Sequence, residues 1–226
     1  MILLENVTKI YPPNIKALDR VSLRIKPGEF VSLVGQSGTG KTTVVRCLIG
    51  EEKITEGKIK IGDWDISGLT KSQVPFLRRQ IAVIFQDFKL LPRKTLYENV
   101  AFALEVAGKP NDKIKSIVPQ VMKIVGLGSK MKRYPNEVSG GEQQRAAIAR
   151  ALVYQPKVLL ADEPTGNLDS INAQEIVDLL RKINEFGTTI VLVTHNRDIV
   201  NRLKRRVITL HDGRVISDQA VGKYVL

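Results

Sequence analysis

Four near-continuous apolar runs lie along the chain, and each has the length of one β-strand. Unbroken runs of aliphatic and β-branched residues are typical of strands that are buried on both faces, as in a parallel sheet covered by helices. Helical patterns such as Ala173–Asn184 separate the runs. The chain is therefore predicted to be an α/β protein. The four runs are Phe30–Val34, Ile81–Phe85, Val158–Ala161 and Thr189–Val193.

Shorter strand patterns occupy the two ends of the chain. Near the end, a hairpin is predicted with Asp212-Gly213 at its turn, because this pair favours the tight turns that join antiparallel strands. Between Lys94 and Leu152 there is no strong strand pattern, so this block is predicted to be helical. The early strands are Leu3–Tyr11, Val21–Ile25 and Lys58–Ile61, with turns at Pro12-Pro13 and Pro27-Gly28.

Composition places the chain among ordinary globular proteins. It has 226 residues, of which 26% are charged and 43% hydrophobic, enough for a sizeable core in one domain or two. No apolar run approaches the roughly 18 residues of a membrane span. The residues Met1–Glu5 lack the pattern of a signal peptide. The single cysteine, Cys47, fits a reducing cytosol and lies in an apolar helical run, where a small core residue is expected.

The charge is strongly positive and uneven. The net charge is +12, and the stretch Asp87–Arg133 holds ten Lys and Arg against four Asp and Glu. A second basic stretch runs from Arg197 to Arg214. Neither is interleaved with enough aromatic residues for base stacking, so nucleic acid is not expected as a partner. An anionic membrane surface or an acidic partner is favoured, and a merely solvated basic face stays open.

A phosphate-binding loop follows the first core strand. The stretch GQSGTGKTT matches G-x-x-x-x-G-K-[ST] and opens a predicted helix. Its glycines allow backbone N–H groups to surround phosphates, Lys41 reaches the β and γ oxygens, and the Thr42 hydroxyl can ligate Mg²⁺. The predicted ligands are therefore a nucleoside triphosphate and Mg²⁺. The contact residues are Gly35, Gln36, Ser37, Gly38, Thr39, Gly40, Lys41, Thr42 and Thr43.

Polar side chains end the other core strands. Asp162 and Glu163 follow Val158–Ala161, and ligands bind outside the carboxyl ends of such strands. Asp162 suits the metal, and Glu163 suits the attacking water. Gln86 and His195 end the remaining two strands, so each is predicted to lie at the same sheet edge near the γ-phosphate.

A second glycine stretch poses a question. Val138–Leu152 reads VSGGEQQRAAIARAL, with small residues directly before a helix. Small residues let a ligand approach the backbone, and the N–H groups at a helix start attract anions. No lysine follows these glycines, so this second anion site is incomplete by itself.

These elements, in this order, resemble the ATP-binding cassette (ABC) ATPases over essentially the whole chain. The resemblance implies a P-loop NTPase (RecA-like) core sheet with an N-terminal antiparallel β subdomain and an inserted helical subdomain. It implies one nucleotide-binding domain, 1–226, whose catalytic core comprises 1–86 and 156–226. The helical subdomain would be 87–155 and would carry the signature motif.

The resemblance also assigns roles to residues. The signature of one subunit completes the ATP site of the other in this family, which implies a homodimer on ATP binding. The catalytic residues would be Glu163, His195, Gln86 and Lys41, and the Mg²⁺ ligands Thr42, Gln86 and Asp162. Besides the phosphate loop, ATP would contact Tyr11 (adenine stacking), Ser139, Gly140 and Gly141 (signature) and Asp169 (D-loop).

One signature position departs from the family pattern. The commonest signature is LSGGQ, whereas this chain has VSGGE, ending at Glu142. A carboxylate facing a triphosphate would repel it. Glu142 is therefore expected to point away from the phosphates or toward a basic neighbour such as Arg145.

The branch of the family is indicated by longer stretches. SGGEQQR with DEPTGNLD resembles ATPases that serve lipoprotein-release permeases, macrolide-efflux permeases and a cell-division complex. Val74–Asp87 looks most like the cell-division branch, whose ATPase pairs with the membrane protein FtsX and governs peptidoglycan hydrolases. This implies an FtsX-like partner, further cytoplasmic division proteins and a cytoplasmic position on the inner face of the plasma membrane.

Two alternatives stay open. The first is the ATPase of a lipoprotein-release or macrolide-efflux exporter, which has the same chemistry and a different partner. The second is a soluble ABC protein of DNA repair or translation. The absence of sustained heptads between the phosphate loop and the signature, and the single cassette, argue against it.

Overall fold

The computed structural model describes residues 1–224, which form two β-sheets and the helices that pack on them. The strands are β1 (Ile2–Tyr11), β2 (Ile15–Ile25), β3 (Phe30–Val34), β4 (Glu56–Ile61), β5 (Trp64–Asp65), β6 (Ile81–Ile84), β7 (Val158–Asp162), β8 (Thr189–Val193), β9 (Arg206–His211) and β10 (Arg214–Gln219). The helices are α1 (Lys41–Leu48), α2 (Val74–Gln80), α3 (Leu96–Val106), α4 (Asn111–Ile124), α5 (Gly140–Leu152), α6 (Ser170–Glu185) and α7 (Arg197–Leu203), with a 3₁₀ turn at Pro135–Glu137.

The larger sheet has the order β10-β9-β3-β8-β7-β6 and is parallel except for β10. All four apolar runs of the sequence become strands of this sheet, and every residue of β3, β7 and β8 is buried. The predicted parallel sheet is confirmed. Burial on both faces explains why these strands lack the alternation of a half-exposed sheet.

Residues of β7 alternate between two cores. Leu159 and Ala161 belong to a core shared with α3, α4, α5 and α6. Val158 and Leu160 belong to a second core, which includes α1 and the antiparallel strands. Because successive strand residues point to opposite faces, α1 and α5 lie on opposite sides of the sheet.

The smaller sheet is antiparallel, with the order β2-β1-β4-β5. It accounts for the strand patterns at the start of the chain and confirms the antiparallel β subdomain. The predicted terminal hairpin is β9–β10, and Asp212 and Gly213 at its turn have φ values of 45° and 71°. Two consecutive positive φ angles suit the tight turns of right-twisted hairpins.

The block from Lys94 to Leu152 is helical, as predicted, and consists of α3, α4, the 3₁₀ turn and α5. The start of α3 is fixed by a capping box between Thr95 and Glu98, which satisfies otherwise unpaired N–H groups. Helix α2 was not predicted. No helix in the described part of the chain is both long and apolar enough to cross a membrane.

Candidate functional site

The carboxyl ends of four parallel strands bring the predicted polar residues to one sheet edge. Along this edge lie the phosphate loop after β3, His195 after β8, Asp162 and Glu163 at the end of β7, and Gln86 after β6. The strand order places the carboxylates two strands from the phosphate loop, with β8 between them. This edge is where ligands of open α/β sheets bind.

Two glycines of the phosphate loop are required by close backbone contacts. Gly35 has φ +149°, and a Cβ there would lie 2.3 Å from the carbonyl oxygen of Leu210. Gly40 has φ +97°, and a Cβ there would lie 2.4 Å from the carbonyl oxygen of Ala17. The loop is therefore held between β9 and β2, with α1 beginning at its end.

Lys41 is buried and points back into its own loop. Its Nζ donates hydrogen bonds to the carbonyl oxygens of Gly35 at 2.9 Å and Gln36 at 2.6 Å. Burial lowers the pKa of Lys41, whereas the charges of Glu163 and Asp162 raise it. The ammonium is thus attracted by both carboxylates across the site, and a triphosphate would offer it further anionic partners.

Asp162 has the properties of a metal ligand. It is buried, and its Oδ1 has no hydrogen-bond partner among the described residues. Burial raises the pKa of Asp162; the Thr42 hydroxyl opposes this, and the charge of Glu163 adds to it. A buried carboxylate oxygen without a donor, beside a hydroxyl, suits a hard cation such as Mg²⁺. The residues therefore fit the predicted ion.

Glu163 and His195 are paired. Glu163 Oε1 lies 2.7 Å from His195 Nδ1. The backbone of Glu163 is left-handed, with φ 48°, and its N–H donates to the Val193 carbonyl at 2.9 Å. A non-glycine residue in this conformation is held there by its surroundings, often at a functional site. The turn ends β7 and directs the carboxylate toward the end of β8.

Gln86 contacts the loop that follows Glu163. Its Nε2 donates to Asn167 Oδ1 at 3.1 Å, and Asn167 Nδ2 donates back to the Gln86 carbonyl at 3.3 Å. A Cβ on Gly166 would lie 2.8 Å from Gln86 Nε2. The structure thus brings Gln86 beside the strand that carries the carboxylates. The contact is made through Asn167, a partner that the sequence does not indicate.

Tyr11 lies at the end of β1, opposite Ile15 of β2. Lys9 Nζ lies 4.6 Å from the centroid of its ring and is itself held by Glu52 at 2.7 Å. A cation over an aromatic face is an attractive arrangement, so it helps to hold the ring in place. Ile15 is 62% exposed and gives the neighbourhood of Tyr11 an apolar surface.

The signature residues form the start of α5. Ser139 is the N-cap: its Oγ accepts from the Glu142 N–H at 3.3 Å, and its own N–H donates to Glu142 Oε2 at 3.0 Å. The other Glu142 oxygen is bonded to Lys130, which lowers the pKa of Glu142. Glu142 does turn to a basic neighbour, but that neighbour is Lys130. Arg145, which the sequence suggested, instead pairs with Glu175 at 2.7 Å.

The second signature glycine is required by helix packing. A Cβ on Gly141 would lie 2.1 Å from Asn172 Oδ1. Asn172 is held in turn by Asp169, the N-cap of α6, whose Oδ2 accepts from Asn172 Nδ2 at 2.6 Å. Asp169 also accepts from the backbone N–H groups of Ile171 and Asn172. Its carboxylate is thus engaged within its own subunit.

Several residues of the site were not found from the sequence. Lys130, Asn172 and Gln144 contact predicted site residues or the loops that carry them. Their partners are distant along the chain, and no local pattern marks such pairs. Gln144 is fully buried in α5. A polar residue in a helix is usually expected to be exposed, so the sequence does not indicate this burial.

The fold and the site define a P-loop nucleoside triphosphatase whose signature helix is carried by a helical insertion. The family described as ABC transporter matches residues 18–166. The chain is 50% identical to the cell division ATP-binding protein FtsE of Streptococcus pneumoniae, over 99% of this chain and 97% of that protein. It is 49% identical to FtsE of Bacillus subtilis, over 99% and 98% of the two chains.

Solved structures of ATP-binding cassettes are also similar to this chain. The dimeric post-hydrolysis state of the ATP-binding cassette MJ0796, bound to ADP and Pi, has a TM-score of 0.88 and 37% identity, covering 99% of this chain and 100% of that one. CbiO1 from Clostridium perfringens has a TM-score of 0.90 and 32% identity, covering 97% and 88%. The chain belongs to the ABC transporter family, in its FtsE group of cell division ATP-binding proteins. It is an ATPase, the ATP-binding subunit of an ABC complex in cell division.

Proposed function

We propose that this ATPase works as a homodimer that hydrolyses Mg²⁺–ATP and acts on an FtsX-like membrane partner. The observation that carries the proposal is the Glu163–His195 hydrogen bond of 2.7 Å, at the sheet edge that also holds Lys41 and Asp162. This edge has a cation for the phosphates, a carboxylate for a metal and a paired carboxylate for water. These groups match the tasks of phosphoryl transfer, which are to hold the phosphates, to hold the metal and to position the attacking water.

ATP would bind with its adenine on Tyr11 and its phosphates in the loop Gly35–Thr43. Lys41 then exchanges its two backbone carbonyl partners for phosphate oxygens, which are stronger acceptors because they are charged. The Thr42 hydroxyl and the buried Asp162 carboxylate would hold Mg²⁺, with Gln86 as a further oxygen ligand. When bound, Mg²⁺ neutralises phosphate charge.

Glu163 is the group that orients and polarises the attacking water. Its carboxylate is half-buried and is fixed on one side by His195. A water molecule bound to the free carboxylate oxygen would be directed at the γ-phosphate, and His195 would hold the geometry of that water and of the phosphate. Gln86 connects this centre to Asn167 in the loop that follows Glu163.

The second ATP-binding element would come from another copy of the chain. Ser139, Gly140 and Gly141 begin a helix on the face of the sheet opposite α1. An anion site without a lysine is complete only against a partner's phosphate loop, where Lys41 of that subunit already contacts the phosphates. The dimeric MJ0796 cassette bound to ADP and Pi supports this arrangement.

The phosphate loop and the signature lie in different parts of the chain, and the domain organisation fits this. We infer a single nucleotide-binding domain, 1–226, with its core in 1–86 and 156–226 and a helical subdomain in 87–155. The helical part carries the basic stretch Asp87–Arg133, which suits a position beside an anionic inner leaflet. Other cytoplasmic division proteins are further partners in this proposal.

The proposal is tested by affinity purification of the tagged chain from cell membranes. We expect an FtsX-like permease to co-purify with the wild type, and with Lys41→Ala as a control that lacks ATP binding. Recovery of a lipoprotein-release or macrolide-efflux permease instead would assign the ATPase to that alternative. Recovery in the soluble fraction with nucleic acid would contradict the membrane assignment.

A further inference from the structure

The signature helix α5 sends one fully buried polar side chain toward the catalytic edge. Gln144 has no exposed surface, and its Nε2 donates to the carbonyl oxygen of Pro164 at 2.6 Å and, over a longer 3.4 Å, to that of Phe85. Both neighbours are acceptors, so only the NH₂ end of the amide can face them. The other end, Oε1, is buried without a partner among the described residues.

The two carbonyl groups belong to residues that are next to Glu163 and Gln86 in the chain. Pro164 directly follows Glu163, and Phe85 directly precedes Gln86. The Phe85 carbonyl belongs to the peptide unit that leads directly into Gln86, so a hydrogen bond to it helps to fix where the Gln86 side chain leaves the backbone. The Pro164 carbonyl belongs to the peptide unit after Pro164, and the proline ring, which restricts φ, links this unit to Glu163. One amide thus sets two loop positions relative to each other and to α5.

Further contacts make α5 the common support of both loops. Arg150 donates to the carbonyl oxygens of Phe88 at 3.0 Å and Lys89 at 2.7 Å, in the loop after Gln86. At the other end of the helix, a Cβ on Gly140 would lie 3.4 Å from Leu168 and 3.7 Å from Phe88. The helix start therefore packs between the loop after β6 and the loop after β7, and a shift of α5 would move both.

We infer that Gln144 is a positioning residue, through which the signature helix holds Glu163 and Gln86 in their working arrangement. The inference rests on the proposed roles of these two residues. Gln144 is fully buried and acts through the Pro164 and Phe85 carbonyls. The amide supplies these donors although its Oε1 has no partner in the part of the chain that the structure describes.

The inference predicts a split between catalysis and binding. In Gln144→Met the side chain keeps its approximate length and loses both donors, so the Pro164 carbonyl must find another partner and Glu163 shifts. We expect kcat for ATP to fall at least about tenfold while the Kd for a fluorescent ATP analogue stays within about twofold, because small misplacements cost rate more than affinity. Gln143→Met is the matched control: Gln143 lies on the same helix and is half-buried, and its side chain donates to the Val138 carbonyl at 3.4 Å, away from both loops.

A kcat of Gln144→Met equal to that of Gln143→Met would overturn the inference. So would a rise in Kd that accounts for the lost rate. Thermal unfolding of both variants shows whether each is folded. If Gln144→Met does not fold, Gln144→Glu provides the test: its protonated carboxyl can donate to Pro164, whereas the ionised form repels both carbonyls. Its kcat relative to the wild type should then rise as the pH is lowered, and a pH-independent ratio would contradict the inference.

The assay also separates this inference from the proposed function. If Glu163→Gln hydrolyses ATP at the wild-type rate, the role proposed for Glu163 is wrong. If Glu163→Gln is inactive and Gln144→Met is fully active, only the positioning role of Gln144 fails.

Discussion

Glu163 Oε1 and His195 Nδ1 lie 2.7 Å apart, although the two residues are 32 positions apart in the chain. They meet because β7 and β8 are parallel neighbours, with Asp162 in register with Val193. His195 is 70% exposed and Glu163 only 18%. The pair is therefore anchored at its carboxylate and open to solvent at its imidazole.

Glu163→Gln should stall hydrolysis after ATP has bound. The amide keeps the shape of the side chain but is a far weaker base, so we expect kcat to fall by roughly a hundredfold or more. ATP binding should persist, and the ATP-bound dimer should be visible by size-exclusion chromatography. Wild-type hydrolysis in Glu163→Gln would place the base elsewhere.

His195→Ala should lower kcat while leaving the protein folded, since the His195 side chain is largely exposed.

Ser139→Arg should damage the ATP site of the opposite subunit. A bulky cation at the start of α5 would obstruct the approach of the partner's phosphates. The test uses mixed dimers in which one subunit carries Lys41→Ala, so that a single phosphate loop remains. We expect ATP retention to be lost when Ser139→Arg is in the Lys41→Ala subunit and kept when it is in the other. The reverse pattern would contradict the exchange of signatures between subunits.

Glu142→Gln should be nearly neutral at neutral pH and should change the response to acid. Lys130 lowers the pKa of Glu142 from its ordinary 4.5. The carboxylate therefore stabilises the fold above that value, and this stabilisation is lost as the pH falls through the lowered pKa. Lys130 is 44% exposed, so the contribution should be below about 1 kcal/mol.

The role of Glu142 is checked by measuring the free energy of unfolding in urea for the wild type and for Glu142→Gln. The difference between these two free energies should shrink from about pH 7 to about pH 3. Lys130→Gln should remove the same pH-dependent part. A difference that grows toward acid pH would show that Glu142 is not stabilised by Lys130. ATPase activity should be retained, because Gln at this position can still complete the capping box.

Cys47 should be chemically inert in the native protein. The side chain is 3% exposed, and burial raises the pKa of its thiol to about 11. Since the thiolate is the reactive form, alkylation by iodoacetamide at about pH 8 should be slow and should become rapid in urea. Ser72→Cys in a Cys47→Ala background supplies an exposed control thiol. Rapid labelling of native Cys47 would mean that α1 opens readily.

The core strands and the polar residues at the carboxyl edge of the larger sheet could be predicted, because each is specified by a short stretch of local sequence. The run Phe30–Val34 and the loop up to Thr43 contain both the apolar pattern and the glycines that their backbone requires. The same holds for the run that ends in Asp162 and Glu163. Helix α2 was missed because Val74–Gln80 is short and buries only Leu77, which leaves little periodicity to detect.

Contacts across elements could not be predicted in the same way. The sequence suggested Arg145 for Glu142, since the two are close on one helix, but Lys130 from the preceding loop reaches it instead. The second signature glycine suggested ligand approach, and the structure adds a packing reason, the Asn172 side chain of α6. Each depends on how two elements meet in space.

The sequence by itself therefore determined the fold class, the phosphate loop, the carboxylate pair and the family. These features follow from the periodicity of side chains and from residue types at fixed local spacing. Only the tertiary structure decided which side chains meet: Glu163 with His195, Glu142 with Lys130, and Gln144 with the carbonyls of Pro164 and Phe85. The physical reason is that strand order and helix packing join distant segments, and hydrogen bonds between them leave no periodic trace in either segment.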